Sequence, residues 1–145
     1  MPAPPPDEVA VKTVLQRFFA AVSFPAGGTP EYERLYDLFT AEARLIRSTT
    51  DIPQDLSINQ FVLDRRRLYD HGELTAFKEA ELTAHTDIFG RVAHRLSAYE
   101  KHGVLNGIEF TGRGVISTQF IHHPTGWKIS SMAWDDERPG LIIPG

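Results

Sequence analysis

The stretch FKEAELTAHTDIFG, residues 77–90, decides the fold. Counted by twos it gives Phe77, Glu79, Glu81, Thr83, His85 and Asp87, and between them Lys78, Ala80, Leu82, Ala84, Thr86 and Ile88. The first set is mostly ionisable and the second leans apolar. A period of two belongs to an extended chain, whose side chains leave alternate faces. The spacing predicts one long strand over 73–88, turned by Phe89-Gly90. Its ionisable face meets either solvent or a cavity, and only the second case makes a site.

Everything downstream also reads as extended. VAHRLSAYEK (92–101), IEFTGRGVISTQFI (108–121) and WKISSMAW (127–134) are strands, with turns at HGVLNG and HPTG and an irregular close in DDERPGLIIPG. Upstream the period is helical. Val11, Val14, Leu15, Phe18 and Val22 recur on one helix face, and Asp7 and Glu8 suit the positive end of its dipole, which predicts a helix over 7–23. Thr29-Pro30 is a start signal for a second helix carrying Tyr32, Leu35, Tyr36 and Phe39. Residues 42–47 make a short strand and 48–55 a loop. Ser57-Ile58-Asn59-Gln60 matches a capping box opening a third helix with Ile58, Phe61, Val62, Leu68 and Tyr69, and Gly72 closes it. Three helices followed by a meander of long antiparallel strands is an α+β pattern, with the helices as the only cover for the inner face of a curved sheet. The expected organisation is one domain over 7–139, a Pro-rich lead-in at 1–6 and a tail at 140–145.

Composition narrows the function. The chain has 145 residues, one domain's length, with 41% apolar and 23% charged residues. Fifteen Lys+Arg stand against 19 Asp+Glu, a net charge of −4, which argues against nucleic acid as a partner. There is no cysteine, so thiol catalysis, disulfides and iron–sulfur clusters are excluded. The start MPAPPPDE has no signal-peptide character, and no apolar run approaches the ~18 residues of a membrane span, so a cytoplasmic protein without a membrane partner is expected. No P-loop, dinucleotide fingerprint or G-x-S-x-G occurs, and no His/Asp/Glu grouping has metal-ligand spacing, so no cofactor and no metal are expected.

The order of elements, with FKEAEL, FGRVAHRLSAYE, RGVISTQF and WKISSMAWDDERP in the strands, resembles the NTF2-like superfamily, and more narrowly the bacterial SnoaL-like and DUF4440-like small proteins. The carrying pattern is F-x-E-x-E-[IL], F-G-x-[IV]-A, S-x-Y-E and W-D-x-E-R-P, and the resemblance covers 7–139. It implies an NTF2-like (cystatin-like) cone, a bent sheet around three helices with a pocket at the open end, and a homodimer through the outer sheet face. Members include isomerases, cyclases, dehydratases, hydrolases, ligand binders and assembly modules. Two positions depart from the pattern: Thr83 where a His is expected and Ile116 where an Asn is common.

Register can be argued from charge. A three-residue loop at 89–91, with Gly90 supplying a bulge, sets Glu79 opposite Lys101, Glu81 opposite Tyr99 and His85 opposite Arg95. A two-residue loop at 89–90 would oppose Glu79 to Glu100 and Lys78 to Lys101, which is unfavourable. The first register is preferred. At the last hairpin, strict alternation puts Trp127, Ile129, Ser131, Ala133 and Asp135 on the helix side with Ile116, Thr118 and Phe120. It leaves Met132, Trp134, Val115 and Ile121 outside as a dimer surface. For the first long strand both assignments stand: Leu82, Ala84 and Ile88 inward, or Glu79, Glu81 and His85 inward. The family pattern favours the second.

The candidates follow. Glu81 with Tyr99 leads, as a carboxyl whose proton affinity burial would raise beside a phenol donor; its plainer reading is a structural hydrogen bond. Asp135 at a strand end could take a proton at the mouth; its plainer reading is an ion pair with Arg138. His85 could be a base or a surface residue. Phe18, Tyr36, Phe39, Phe61, Glu79, His85, Phe110, Phe120 and Trp127 are the expected pocket lining. Arg65, Arg66 and Arg67 read as a solvated helix face, with one of them turned inward as the lesser alternative. Three functions remain in view: binding a small hydrophobic molecule in the cone; a cofactor-independent cyclase, isomerase or dehydratase with a carboxylate base; and a dimerisation module without ligand chemistry.

Overall fold

The computed structural model describes residues 6–144. Helix α1 (Pro6–Val22) buries Val11, Leu15, Phe18, Phe19 and Val22 along one face and places Asp7 and Glu8 in its first turn. The expected second helix is a short 3-10 helix, Tyr32–Asp37, and Thr29 does not cap it. Its two buried side chains, Tyr32 and Leu35, are three residues apart, the 3-10 repeat. Strand β1 (Phe39–Arg47) follows at once, so Phe39 belongs to a strand. Strand β2 (Gln54–Ser57) pairs with β1, taking up the last two residues of the segment expected to be loop and running to the helix cap; it is too short and too polar for alternation to reveal it. Helix α2 (Ile58–Asp70) opens on the expected capping box: Gln60 N–H donates to Ser57 Oγ at 3.1 Å and Ser57 N–H to Gln60 Oε1 at 2.9 Å.

Four long strands complete the sheet: β3 (Leu74–Phe89), β4 (Val92–Leu105), β5 (Ile108–His123) and β6 (Gly126–Asp136). The order is β2-β1-β6-β5-β4-β3, with β1 parallel to β6 and the other pairs antiparallel. The β4–β5 turn is confined to Asn106-Gly107, both with positive φ (51° and 78°), the conformation that a two-residue hairpin turn needs. The helices cover one face of the sheet. Among the described residues no helix is long and apolar enough to cross a membrane.

Two β-bulges decide which side chains face the helices. In β3 the pairing runs Glu79↔Lys101 and Glu81↔Tyr99, then resumes at Thr83↔Ala98 with Leu82 as the extra residue. Before Leu82 it is Phe77, Glu79 and Glu81 that point inward; after it, Thr86 and Ile88 do. Each of the two assignments of this strand therefore holds over half its length. His85 faces Leu96 on the outside, Thr86 faces Arg95, and Phe89 pairs with Val92 across a two-residue turn at 90–91. The register argued from charge holds at Glu79 and Glu81 and fails at His85, because the extra residue lies at Leu82 and not in the loop.

The second bulge is Ser130, between Phe120↔Ile129 and Gln119↔Ser131. It corrects the face assignment of β6. Trp127 and Ile129 point inward as expected, but beyond Ser130 the inward residues are Met132, Trp134 and Asp136, while Ser131, Ala133 and Asp135 turn outward. Burying Met132 and Trp134 instead of Ser131 and Ala133 is the physical reason, at about 1.5–3 kcal/mol for each large apolar side chain. Val115 and Ile121 remain outside.

Candidate functional site

A cavity of about 400 Å³ opens between α1, α2 and the sheet. Phe18 of α1, Phe61 and Leu68 of α2, Phe77 of β3, Phe110 of β5 and Trp134 of β6 form apolar walls. Arg65, Glu79, Lys101 and Asp136 reach the same space, with Arg47, Thr111 and Glu137 also lining it. This is the usual make-up of a small-molecule pocket: apolar walls and a few convergent polar groups.

Asp136 is held from two sides. Tyr99 Oη donates to its Oδ1 at 2.6 Å and Lys101 Nζ to its Oδ2 at 3.0 Å. Cross-strand register sets this up: Tyr99, Gly114 and Asp136 stand opposite one another on β4, β5 and β6. A Cβ on Gly114 would lie 2.3 Å from Tyr99 Oη and 2.4 Å from the Asp135 carbonyl, so the phenol crosses β5 only because that position is glycine. Burial, and then the Asp136 carboxylate it bonds, push the Tyr99 pKa well above the ordinary phenol range. Tyr99 is a fixed donor to Asp136 and itself is only 1% exposed.

Glu79 is the unusual group. Its backbone N–H donates to Ser23 Oγ at 3.1 Å, tying β3 to the end of α1. Burial pushes its carboxyl up to about 7; the Arg65 and Lys101 charges work against that rise and Asp136 adds to it. A carboxyl near neutrality in a cavity can hold or release a proton under ordinary conditions.

Glu81, the leading sequence candidate, is elsewhere. Its carboxylate takes a forked pair from Arg95, Nε at 3.0 Å and Nη2 at 2.6 Å, and Ser97 Oγ donates at 2.7 Å. Arg95 also donates to Thr86 Oγ1 at 2.6 Å. The two side chains of the pair are 7% and 8% exposed, and neither residue lines the cavity. Glu81 does not meet the Tyr99 hydroxyl; its oxygens are occupied, and the plainer structural reading describes it.

The other expectations divide. Phe18, Phe61, Phe110 and Glu79 line the cavity. Phe39, Phe120 and Trp127 are buried in the packed core and do not. Tyr36 is exposed and donates to Asn59 Oδ1 at 2.7 Å. His85 stands on the outer sheet face at 3.1 Å from Asp87, which His94 also meets at 2.8 Å. Asp135 accepts from Arg138 at 2.7 Å, and that guanidinium holds its carboxyl below the ordinary range; its neighbour Asp136 reaches the cavity. Sequence reasoning passed over Asp136, set Lys101 opposite Glu79 without making it a site residue, placed Trp134 on the outer face, and gave Arg65 only as the lesser alternative. One signal pointed to them: the apolar spacing Trp127, Ile129, Met132, Trp134 steps by three across Ser130-Ser131, which is how a bulge reads. Among the described residues no group of three or more His, Asp or Glu could hold a metal ion.

The fold has clear counterparts among solved structures. The protein Kfla4162 from Kribbella flavida is 13% identical and superposes with a TM-score of 0.74 over 91% of each chain. An NTF2-like superfamily protein from Salmonella enterica serovar Typhimurium is 14% identical, TM-score 0.73, over 95% of this chain and 94% of its own. A protein with a cystatin-like fold from Caulobacter vibrioides is 12% identical, TM-score 0.72, over 92% of each. No family model matches the sequence, and no curated relative does. At such identities the likeness carries the fold alone: the chain has the NTF2-like, cystatin-like fold, as its strand motifs imply.

Proposed function

We propose that this protein binds a small, largely apolar molecule in the cone. The observation that carries the reading is the cavity of about 400 Å³ whose aromatic walls enclose a carboxyl that burial has pushed up to about 7. A fully packed interior would leave no such space, and the carboxyl gives the space a polar group that a ligand could meet. The neutral fluorophore N-phenyl-1-naphthylamine tests it, with Gly112→Trp as the control. Gly112 lines the cavity, and a Cβ there meets only the flexible Lys101 side chain, at 3.1 Å, so an indole placed there should enter the cavity as Lys101 gives way. The wild-type protein should bind the probe with a rise in emission, and the variant should lose it. Equal binding by both would remove the cavity from this role.

Glu79 favours a second reading, a cofactor-independent cyclase, isomerase or dehydratase acting on a small carbonyl compound. Glu79 would be the base in place of Glu81 or Asp135. Tyr99 would not serve the oxyanion, because its hydroxyl is bound to Asp136. Hydrogen–deuterium exchange at the α-carbon of cyclohexanone follows that chemistry. Exchange above the buffer rate that Glu79→Gln abolishes supports it, and exchange unaltered in the variant counts against it.

The outer sheet face supports pairing of two copies. Phe89, Val92, Leu96 and Ile121 stand there with 86%, 56%, 52% and 40% of their surface exposed. That is a large uncovered apolar area for a monomer.

A further inference from the structure

We infer that the molecule taken by the cavity has an apolar body and a carboxylate, and that Arg65 receives the carboxylate. This rests on the cavity being the binding site proposed above, and names the class of its ligand.

Arg65 belongs to a run of three arginines on α2, and it differs from its neighbours. Arg66 pairs with Glu33, and Arg67 with Asp64 at 2.9 Å. Arg65 turns into the cavity, its guanidinium carbon 5.0 Å from the centroid of Phe61 and 5.0 Å from that of Phe77. Those rings favour the charge and fix the position of the head group. Among the described residues no carboxylate lies within ion-pair distance of Arg65. Among the described residues its donor edge therefore has no anionic partner: the Tyr32 hydroxyl beside it is neutral and Glu79 acts on it only from beyond ion-pair distance, although a guanidinium presents five donors in a fork that matches a carboxylate.

The other charges at the cavity, Glu79 apart, are accounted for. Lys101 is paired with Asp136, which also accepts from Tyr99. Arg47 is exposed and donates to Thr49 Oγ1 at 3.1 Å. Glu137 accepts from the Ile143 N–H at 2.8 Å. Glu79 is left facing the space without a pairing cation. Arg47, Arg65 and Lys101 against Glu79, Asp136 and Glu137 sum to zero with Glu79 ionised, and to +1 with Glu79 protonated. The protonated state thus has room for one negative charge. A single guanidinium without a carboxylate partner, between apolar walls, suits a monoanion with a flat, two-oxygen head. A phosphate dianion would need more cations to replace its water, and an ammonium head would meet Arg65 with like charge.

The inference carries a proton count. An anion beside Glu79 is repelled by its carboxylate and accepts a hydrogen bond from its acid form. Binding should therefore draw a proton onto Glu79. Affinity for the anion should fall as pH rises through about 7, by about tenfold between pH 6 and pH 8 for one linked proton.

Cinnamate, cinnamamide and cinnamylamine share one apolar body and differ only in the head. Titration of each into the intact protein is followed by calorimetry and by the Trp134 indole N–H signal in NMR. The Trp127 indole, outside the cavity, is the internal control. Cinnamate should bind at least tenfold more tightly than the amide at pH 6 and shift Trp134 alone. Arg65→Gln should abolish the preference, Arg65→Lys should keep part of it, and Glu79→Gln should flatten the dependence on pH. Equal binding of cinnamate and cinnamamide, a preference for the amine, or a preference that survives in Arg65→Gln overturns the assignment to Arg65 while leaving an apolar cavity site standing. Should none of the three, nor the neutral fluorophore, perturb Trp134, the cavity reading falls and this inference with it.

Discussion

Two glutamates two residues apart on β3 show how far a side chain's surroundings outweigh its identity. Glu81 is deeply buried but fully bonded to Arg95 and Ser97, and removing one partner of such a pair leaves an uncompensated charge. Glu81→Gln should destabilise the fold by about 3–5 kcal/mol. Glu79 is opposite in sign. Its folded pKa, about 7, lies above the ordinary 4.5, so between these values the folded state binds more protons than the unfolded one. Stability from this group is complete below pH 4.5 and falls as pH rises to about 7, by about 3 kcal/mol at ~1.4 kcal/mol per pH unit. Glu79→Gln should remove that loss. Denaturant melts at pH 5 and pH 8 check both: the variant should gain on the wild type at pH 8 and not at pH 5. A wild type more stable than Glu79→Gln at pH 8 would mean that the carboxylate is well solvated or paired.

At the scale of elements, the long strands, the capping box and the α+β order were legible because each rests on a repeated local signal. What was not legible was parity. A bulge is a single added residue and leaves the propensity of the strand untouched, yet every side chain beyond it changes face. The bulges at Leu82 and Ser130 therefore moved His85, Met132, Trp134, Asp135 and Asp136 together. Strand β2 escaped for a different reason, since its pairing comes from the partner β1 and not from its own polar residues. The glycines of β5 were visible in TGRG, but their purpose appears only when β4 is laid alongside. Gly114→Ala should push Tyr99 off Asp136, because both close contacts of the new Cβ are ones that β5 cannot relieve alone. The expected loss is about 1–3 kcal/mol, as for other overpacked sites. A shift of the Trp134 indole signal should accompany it. A melting temperature and Trp134 signal identical to wild type would show that the crossing of Tyr99 over Gly114 is not needed.

The whole molecule is one-sided. Both α-helices lie on the concave side of a six-stranded sheet, and the cavity lies between the two layers. The convex side has no cover among the described residues, yet it carries Phe89, Val92, Leu96 and Ile121 around the His85–Asp87–His94 cluster. An antiparallel sheet can face water when its outer residues are polar, but this one is apolar at its hairpin end. Under the pairing proposed above a second copy would close this face: a two-fold pair buries the same patch on both partners and leaves no surface for further addition. Leu96 stands on β4, next to the edge strand β3, between His85 and Ser117. Leu96→Glu would set two carboxylates into the apolar centre of the pair while leaving the cavity, on the opposite face, unaltered. Sedimentation should show the wild type as a dimer at micromolar concentration and Leu96→Glu as a monomer, and both should bind N-phenyl-1-naphthylamine alike. A wild type that sediments as a monomer removes the pairing. A variant that is monomeric and no longer binds the probe would mean that the two faces are coupled through the sheet, and that the cavity depends on the pair for its shape.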